Sequence, residues 1–187
     1  MPTFRGHAQQ REHQQESRYE DSSWFHPTGR TTGPEAISDT LYADWVEQTD
    51  TDPTDYLASV DDPRRADLVT VDEVLVGAMP GRQRVLWEGV FWGGTEQTII
   101  GYGHLVQERP RGADVEWFII GLALQKKHIS LYVNAVLDGA YLGAAYADRL
   151  GKVKLGSASI AFSGVDALNL DVLGEFAAHA HRISTKN

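Results

Sequence analysis

VEWFIIGLALQKKHISLYV, at residues 115–133, contains two apolar runs, Val115 to Leu124 and His128 to Val133, joined by Gln125-Lys126-Lys127. The runs are rich in Ile, Val, Leu and aromatic residues, as β-strands are. A connection of this length suits a hairpin and is too short for a parallel crossover. The stretch therefore predicts two neighbouring antiparallel strands.

Three similar runs surround this stretch. Arg82 to Trp87 and Thr98 to Gln107 precede it, and Ser157 to Phe162 follows it. Pro110-Arg111-Gly112, just before Val115, is a second connection of hairpin length. We therefore expect a largely antiparallel sheet of about five strands. The run Phe118-Ile119-Ile120 is apolar on both faces, which predicts that helices bury it.

Amphipathic segments on either side of the strands predict helices. Asp52-Pro53 and Asp61-Asp62-Pro63 are helix-start signals, and the second is followed by apolar residues at three- and four-residue steps up to Pro80-Gly81. Asp138 to Leu150 and Asn169 to His181 predict two more helices. The order predicts an α+β fold in which helices flank the sheet, with those beginning near Asp61 and Asn169 on one face.

The domain boundaries follow from composition. Residues 51–183 hold these elements and form one predicted domain, in keeping with a chain of 187 residues. Residues 1–38 are polar, with only isolated apolar side chains, and predict a disordered leader. Residues 39–50 predict a short helix or linker, because Leu41, Tyr42, Trp45 and Val46 fall at helical spacing.

The overall composition excludes several classes of function. A net charge of −9 argues against general nucleic-acid binding, which needs a cationic field. The absence of cysteine excludes disulfides, thiolate metal sites and cysteine nucleophiles. No apolar stretch approaches the ~18 residues of a membrane span, and the first residues lack a secretory signal, so we expect a cytoplasmic protein without a membrane partner.

Several segments resemble one family in the right order. They are Asp55-Tyr56-Leu57, Arg64-Arg65-Ala66-Asp67, Ile100-Gly101-Tyr102-Gly103, Lys127 to Tyr132, Gly151 to Phe162 and Asp166 to Leu173. Together they resemble the YdhG-like family of domains of unknown function. The resemblance implies a sheet flanked by helices in a frataxin-like sandwich. Some frataxin-like members are described as intracellular iron chaperones, which makes iron the one cofactor that the resemblance implies.

The chain departs from that family at one segment. Trp87 to Gly94 is aromatic and glycine-rich, where the family usually has a proline-containing segment before its first long strand. A contact that relatives make there is therefore not expected to carry over.

Lysine marks a candidate anion site. Four of the five lysines are Lys126, Lys127, Lys152 and Lys154, in two of the segments that carry the resemblance. If they converge with His128 and the amides of Gly151 and Gly156, they form a basic spot for a small carboxylate or phosphate. Trp92 and Tyr102 are aromatic residues that could line it. The alternative is that these lysines are solvated edge charges.

Carboxylates mark a candidate metal site. Twelve lie between Glu35 and Glu73, and those proposed as iron ligands are Asp62, Asp67, Asp72 and Glu73 on or beside the helix that starts near Asp61. Hard cations favour such oxygen clusters. The alternative is a solvated helix face with acidic residues complementing the helix dipole.

No pattern of a nucleophile with its base, or of a phosphate-binding loop, is recognisable. The sequence therefore favours a non-enzymatic binding module for a small anionic molecule or peptide. An iron chaperone is one alternative. The other is an enzyme acting on a small acid, which would need a base such as His128 or His104 beside the lysines.

Overall fold

The computed structural model describes residues 46–91, 95–107 and 114–185. Its helices are α1 Pro53–Ser59, α2 Arg65–Ala78, α3 Gly143–Leu150 and α4 Leu170–Ile183. Its strands are β1 Val46–Thr49, β2 Arg84–Phe91, β3 Thr95–Tyr102, β4 Leu105–Gln107, β5 Val115–Trp117, β6 Ile120–Leu124, β7 Ile129–Val133, β8 Val136–Leu137, β9 Ala140–Tyr141, β10 Lys154–Leu155 and β11 Ser159–Phe162. The predicted leader, residues 1–38, and residues 39–45 lie outside the described residues. None of the described helices is long and apolar enough to cross a membrane.

The main sheet confirms the α+β prediction. Seven strands pair in the order β1-β2-β3-β6-β7-β11-β10, and every pairing is antiparallel. The number of strands exceeds the expected value because a short strand lies at each edge. One of them, β1, lies in the segment 39–50, for which a short helix or linker was predicted. The described part of that segment forms a strand and not a helix, since Val46 pairs with Gly89 of β2. The other, β10, is two residues long.

Two runs that were predicted as single strands are each divided. Thr98 to Gln107 breaks at Gly103, which has φ +72° and donates its N–H to the carbonyl of Gln83 at 2.7 Å. Val115 to Leu124 breaks between β5 and β6. As a result β4 and β5 leave the main sheet and pair with each other as a separate two-stranded sheet.

The helices pack on one face of the main sheet. A row of apolar side chains crosses that face through directly opposed positions on five strands: Leu86, Ile100, Leu122, Leu131 and Ile160. Leu68 and Val71 of α2 and Phe176 of α4 join the same buried cluster. This confirms the prediction that the helices beginning near Asp61 and Asn169 share a face.

The opposite face is covered by the β4–β5 hairpin. Trp87 and Ile99 of the main sheet form a second buried cluster with Trp117 and Phe118, and Leu105 packs against it. The Trp87 and Trp117 rings are 5.1 Å apart between centroids. The prediction that helices bury Phe118-Ile119-Ile120 therefore holds for Ile119 and Ile120 but not for Phe118, which lies in the cluster under the hairpin.

The predicted helix ends are largely confirmed. Asp52 caps α1 by accepting the N–H of Thr54 at 2.7 Å, with Pro53 as the first helical residue. Asn169 caps α4 by accepting the N–H of Val172. The helix predicted from Asp138 instead begins at Gly143, because Asp138 and Gly139 form the positive-φ turn of the β8–β9 hairpin.

Candidate functional site

Arg64 connects the start of α2 to the β6–β7 turn. The carboxylate of Asp62 accepts from Arg64 Nε at 2.9 Å, from Nη2 at 2.8 Å and from the backbone N–H of Arg64 at 2.8 Å. Nη2 also donates to the carbonyl of Gln125 at 3.1 Å. The hydrogen bonds from the Arg64 side chain and backbone lower the pKa of Asp62 to about 2. The guanidinium is thereby held in one orientation at the end of the sheet.

One nitrogen of this guanidinium has no acceptor. Nη1 of Arg64 is shielded from water and makes no hydrogen bond to any residue that the structure describes. A charged donor in this state is costly unless something accepts from it, so it marks a position where an anion would be stabilised.

His128 lies beside this arginine, at the end of the same turn. Burial lowers its pKa from the usual value, and the positive charges of Arg64 and Lys154 lower it further. Both cations therefore act on the imidazole directly. The neutral ring can donate one hydrogen bond and accept one, whereas a protonated ring would donate two.

Lys154 reaches the site from the edge of the sheet. It pairs with Ala161 of β11, which pairs with Ser130 of β7, so β10 lies two strands, or about 10 Å, from β7. Lys126 and Lys127 are exposed in the turn just before His128. We call Arg64, His128 and Lys154, with these two turn lysines, the basic corner.

The basic corner groups cationic side chains in an acidic chain. Asp62 offsets Arg64 directly, and Asp67 also stabilises the charge of Arg64. The cations of the corner are Arg64, Lys126, Lys127 and Lys154. In a chain of net charge −9 such a grouping suits an anionic ligand.

The predicted anion site also included Lys152, Gly156, Trp92 and Tyr102. Lys152 is exposed before β10, with its backbone N–H bonded to the carbonyl of Ala167 at 2.7 Å. The amide of Gly156 is also occupied, by the carbonyl of Ser159. Trp92 lies outside the described residues. Tyr102 is buried, and its hydroxyl donates to Asp72 at 2.5 Å.

The carboxylates proposed as iron ligands are dispersed. Asp62 is bound to Arg64, Asp67 lies beside Gly164, and Glu73 is exposed. Asp72 faces inward and accepts from Nε and Nη2 of Arg84, each at 2.8 Å. Within the described ranges no three potential ligands come together in a metal-binding group. The placement of Asp72 is therefore explained by a buried ion pair.

Burial and charge together fix the protonation of the groups around Asp72. The pKa of Tyr102 is raised well above the usual value, first by burial and then by the charge of Asp72. For Arg84 burial opposes the charged form, but the hydrogen bonds and charge of Asp72 outweigh it, and the pKa is raised. Tyr102 thus stays neutral and Arg84 stays charged.

Arg64 and Arg84 are site residues that the sequence did not predict. Lysine stood out because it is rare and clustered, whereas the arginines are spread along the chain. One signal for Arg64 was its position directly after the helix-start residues Asp61-Asp62-Pro63, where a fixed carboxylate can orient a guanidinium. His104, the second candidate base, lies away from the lysines, 3.8 Å from Glu116.

No family model, curated protein or solved structure matches this chain.

Proposed function

We propose that this protein is a non-enzymatic binding module that takes up a small carboxylate- or phosphate-bearing molecule at the basic corner. The observation that carries the proposal is the buried Nη1 of Arg64, a charged donor without an acceptor among the described residues. A ligand oxygen would satisfy it once the atoms that shield Nη1 from water move aside, since hydrogen bonds to charged groups are among the strongest that proteins make.

The surrounding groups favour an anion with more than one oxygen. Arg64 supplies a charged donor, His128 a second polar atom, and Lys154 an ammonium. Because Lys126, Lys127 and Lys154 are exposed, we expect modest affinity that weakens as salt is added. A peptide carboxylate and a free phosphate compound both fit this chemistry.

The experiment is a calorimetric titration of the full chain with inorganic phosphate and with citrate at low ionic strength. We expect Lys154→Met to weaken binding several-fold, since a cation near the ligand is lost. Arg64→Lys keeps the charge but removes the planar fork, and should weaken binding more.

Lys152→Met is the matched control, because it removes the same charge two residues away. It should leave the affinity within about twofold, because on this proposal Lys152 does not touch the ligand and an exposed charge contributes little. Equal losses in Lys152→Met and Lys154→Met would mean a general charge effect and would contradict the proposal. So would the absence of saturable binding in the wild-type chain.

The alternatives receive less support. Iron delivery through Asp62, Asp67, Asp72 and Glu73 stays a prediction, and the positions of these carboxylates do not favour it. An enzyme using His128 as a base also stays a prediction. Membership of the YdhG-like family and a cytoplasmic location are part of the proposal and rest on the sequence alone.

A further inference from the structure

A cleft of about 170 Å³ lies between the end of α2 and the start of β2. Its apolar side is formed by Val76, Met79 and Pro80, and its polar side includes Arg82 and Arg84. Val76 is 47% exposed and presents apolar surface at the cleft. At ~30 Å³ per water, the cleft has room for about five or six water molecules, the size of a short organic acid.

Most polar groups at the cleft already have partners. Nε and Nη2 of Arg84 donate to the carboxylate of Asp72, and the Tyr102 hydroxyl donates to the same carboxylate. These groups form a closed network beneath the cleft. Arg82 is the other arginine that lines the cleft.

Nε and Nη2 of Arg82 are shielded from water and have no acceptor in the described part of the chain. These two nitrogens lie on one edge of the guanidinium, and their parallel N–H groups match the two oxygens of a carboxylate. Arg64 and Arg84 each use this same edge to bind an aspartate. Arg82 has no such aspartate among the described residues.

The end of α2 does not supply the missing acceptor. Arg82 follows this helix, and its backbone N–H donates to the carbonyl of Met79 at 3.2 Å. The unpaired carbonyls at a helix C-terminus commonly accept from a basic side chain. The two Arg82 nitrogens make no such bond to the described residues. The pKa of His181, on α4, is lowered first by burial and second by the positive charge of Arg82, so His181 lies near this arginine.

We propose that this cleft binds a small monocarboxylate with a short apolar tail, at a site separate from the basic corner. The carboxylate pairs with the Nε and Nη2 edge of Arg82, and the tail covers Val76, Met79 and Pro80. Because that edge is shielded from water in this structure, binding includes a rotation of the Arg82 side chain towards the cleft. The apolar side of the cleft favours an organic acid over inorganic phosphate.

The test uses butyrate as the probe and the full ¹⁵N-labelled chain, observed by amide NMR. We expect saturable shifts centred on the amides of Gly81, Arg82 and Gln83. At the cleft amides, butanol, which has the tail without the charge, and inorganic phosphate, which has charge without the tail, should bind at least about tenfold more weakly than butyrate. These arms separate a carboxylate site from a purely apolar or purely anionic one.

Arg82→Gln should raise the apparent Kd for butyrate by about tenfold or more, since the paired donors are lost. Arg182→Gln removes the same charge from an exposed position one residue after His181, and should leave the Kd within about twofold. Lys154→Met should also leave it unchanged, which keeps this result independent of the basic corner.

Three outcomes would overturn the proposal. They are an absence of saturable shifts at the cleft in the wild-type chain, unchanged butyrate affinity in Arg82→Gln, and equal losses in Arg82→Gln and Arg182→Gln. The wild-type shift map needs no variant, so the proposal can be rejected even if Arg82→Gln fails to fold.

Discussion

Arginine side chains organise the polar interior at the scale of single residues. Arg64 and Arg84 each bind an aspartate through two hydrogen bonds, and these two pairs orient the start of α2 and join α2 to β2. Asp72 shows how such pairing could be anticipated. It falls four residues after Leu68 and three before Leu75, on the apolar stripe of α2, where an unpaired carboxylate would be too costly. Its inward position follows from the sequence, whereas its partner, twelve residues away, does not.

Replacement of Asp72 should therefore be far more damaging than replacement of its neighbour Glu73. Asp72→Asn leaves Arg84 partly buried without its counterion, and we expect the free energy of unfolding to fall by about 2–4 kcal/mol. Glu73→Gln, at an exposed position, should change it by less than about 0.5 kcal/mol. Urea unfolding of both variants measures the difference. Similar effects in the two variants would show that the Asp72–Arg84 pair contributes little.

His128 should make both stability and anion binding depend on pH. Its folded pKa lies below the usual value of about 6.5, because of burial and the charges of Arg64 and Lys154. Above pH ~6.5 the ring is neutral in both states and the stability is fully present. As pH falls below ~6.5 the unfolded chain takes up the proton first, so the native state loses stability until the folded pKa is passed.

The folded chain without ligand favours the neutral form of His128. A bound anion should instead favour the protonated form, because its negative charge stabilises the protonated ring. Sulfate stays doubly charged between about pH 7 and about pH 5, a range that spans the usual histidine pKa of about 6.5. Affinity for sulfate should therefore rise as the pH falls through this range. Titrations with wild type and His128→Gln measure this, and the variant should show a flatter dependence. The same slope in both chains would remove His128 from the basic corner.

Glycines control the spacing of elements. Gly101 and Gly121 face each other on β3 and β6. A Cβ at Gly121 would come within 2.5 Å of the Phe118 ring and 2.8 Å of Ile99, and one at Gly101 within 2.6 Å of Trp87. The two positions thus leave room for the aromatic rings that cover this face. The sequence shows these glycines inside predicted strands, a sign of close approach, but not which ring fills the space.

Gly121→Ala should destabilise the protein by about 1–3 kcal/mol, because the added methyl group overpacks the aromatic cluster. Gly77→Ala is the matched control, since it adds the same group to α2 where nothing lies within 4 Å. That variant should be neutral or more stable by about 0.5 kcal/mol, owing to the better helix propensity of alanine. Urea unfolding followed by tryptophan fluorescence measures both. A neutral Gly121→Ala would mean that Phe118 can move aside without cost.

The same reasoning explains which element boundaries could be predicted. Caps at Asp52 and Asn169 follow from local hydrogen bonding, so the sequence locates them well. Asp138-Gly139 is also a typical hairpin-turn sequence, although the prediction placed a helix from Asp138. The break at Gly103 depends on the distant carbonyl of Gln83, which no local pattern reveals.

At the scale of the whole molecule, the main sheet has unequal covers on its two faces. Helices and sheet share a large buried cluster on one side, whereas the β4–β5 hairpin and Phe118 form a smaller one on the other. The antiparallel sheet and the shared face of α2 and α4 were predictable from short connections and helical periodicity. The hairpin cover was not, because Leu105 and Trp117 lie in runs that local patterns assign to continuous strands.

This asymmetry predicts that the molecule does not open as one unit. The β4–β5 pair has three residue pairs and is a sheet of its own, while β6 lies in the middle of the seven-stranded sheet. Amides of β4 and β5 should therefore exchange with solvent through a local opening whose free energy is at least about 2 kcal/mol smaller than that of global unfolding. Amides of β6 and β7 should exchange only through global unfolding. Native-state hydrogen exchange at increasing urea concentration separates the two classes. If the hairpin and β6 exchange with the same free energy and the same urea dependence, the aromatic cluster around Trp87 and Trp117 binds the hairpin as firmly as the helices bind the other face.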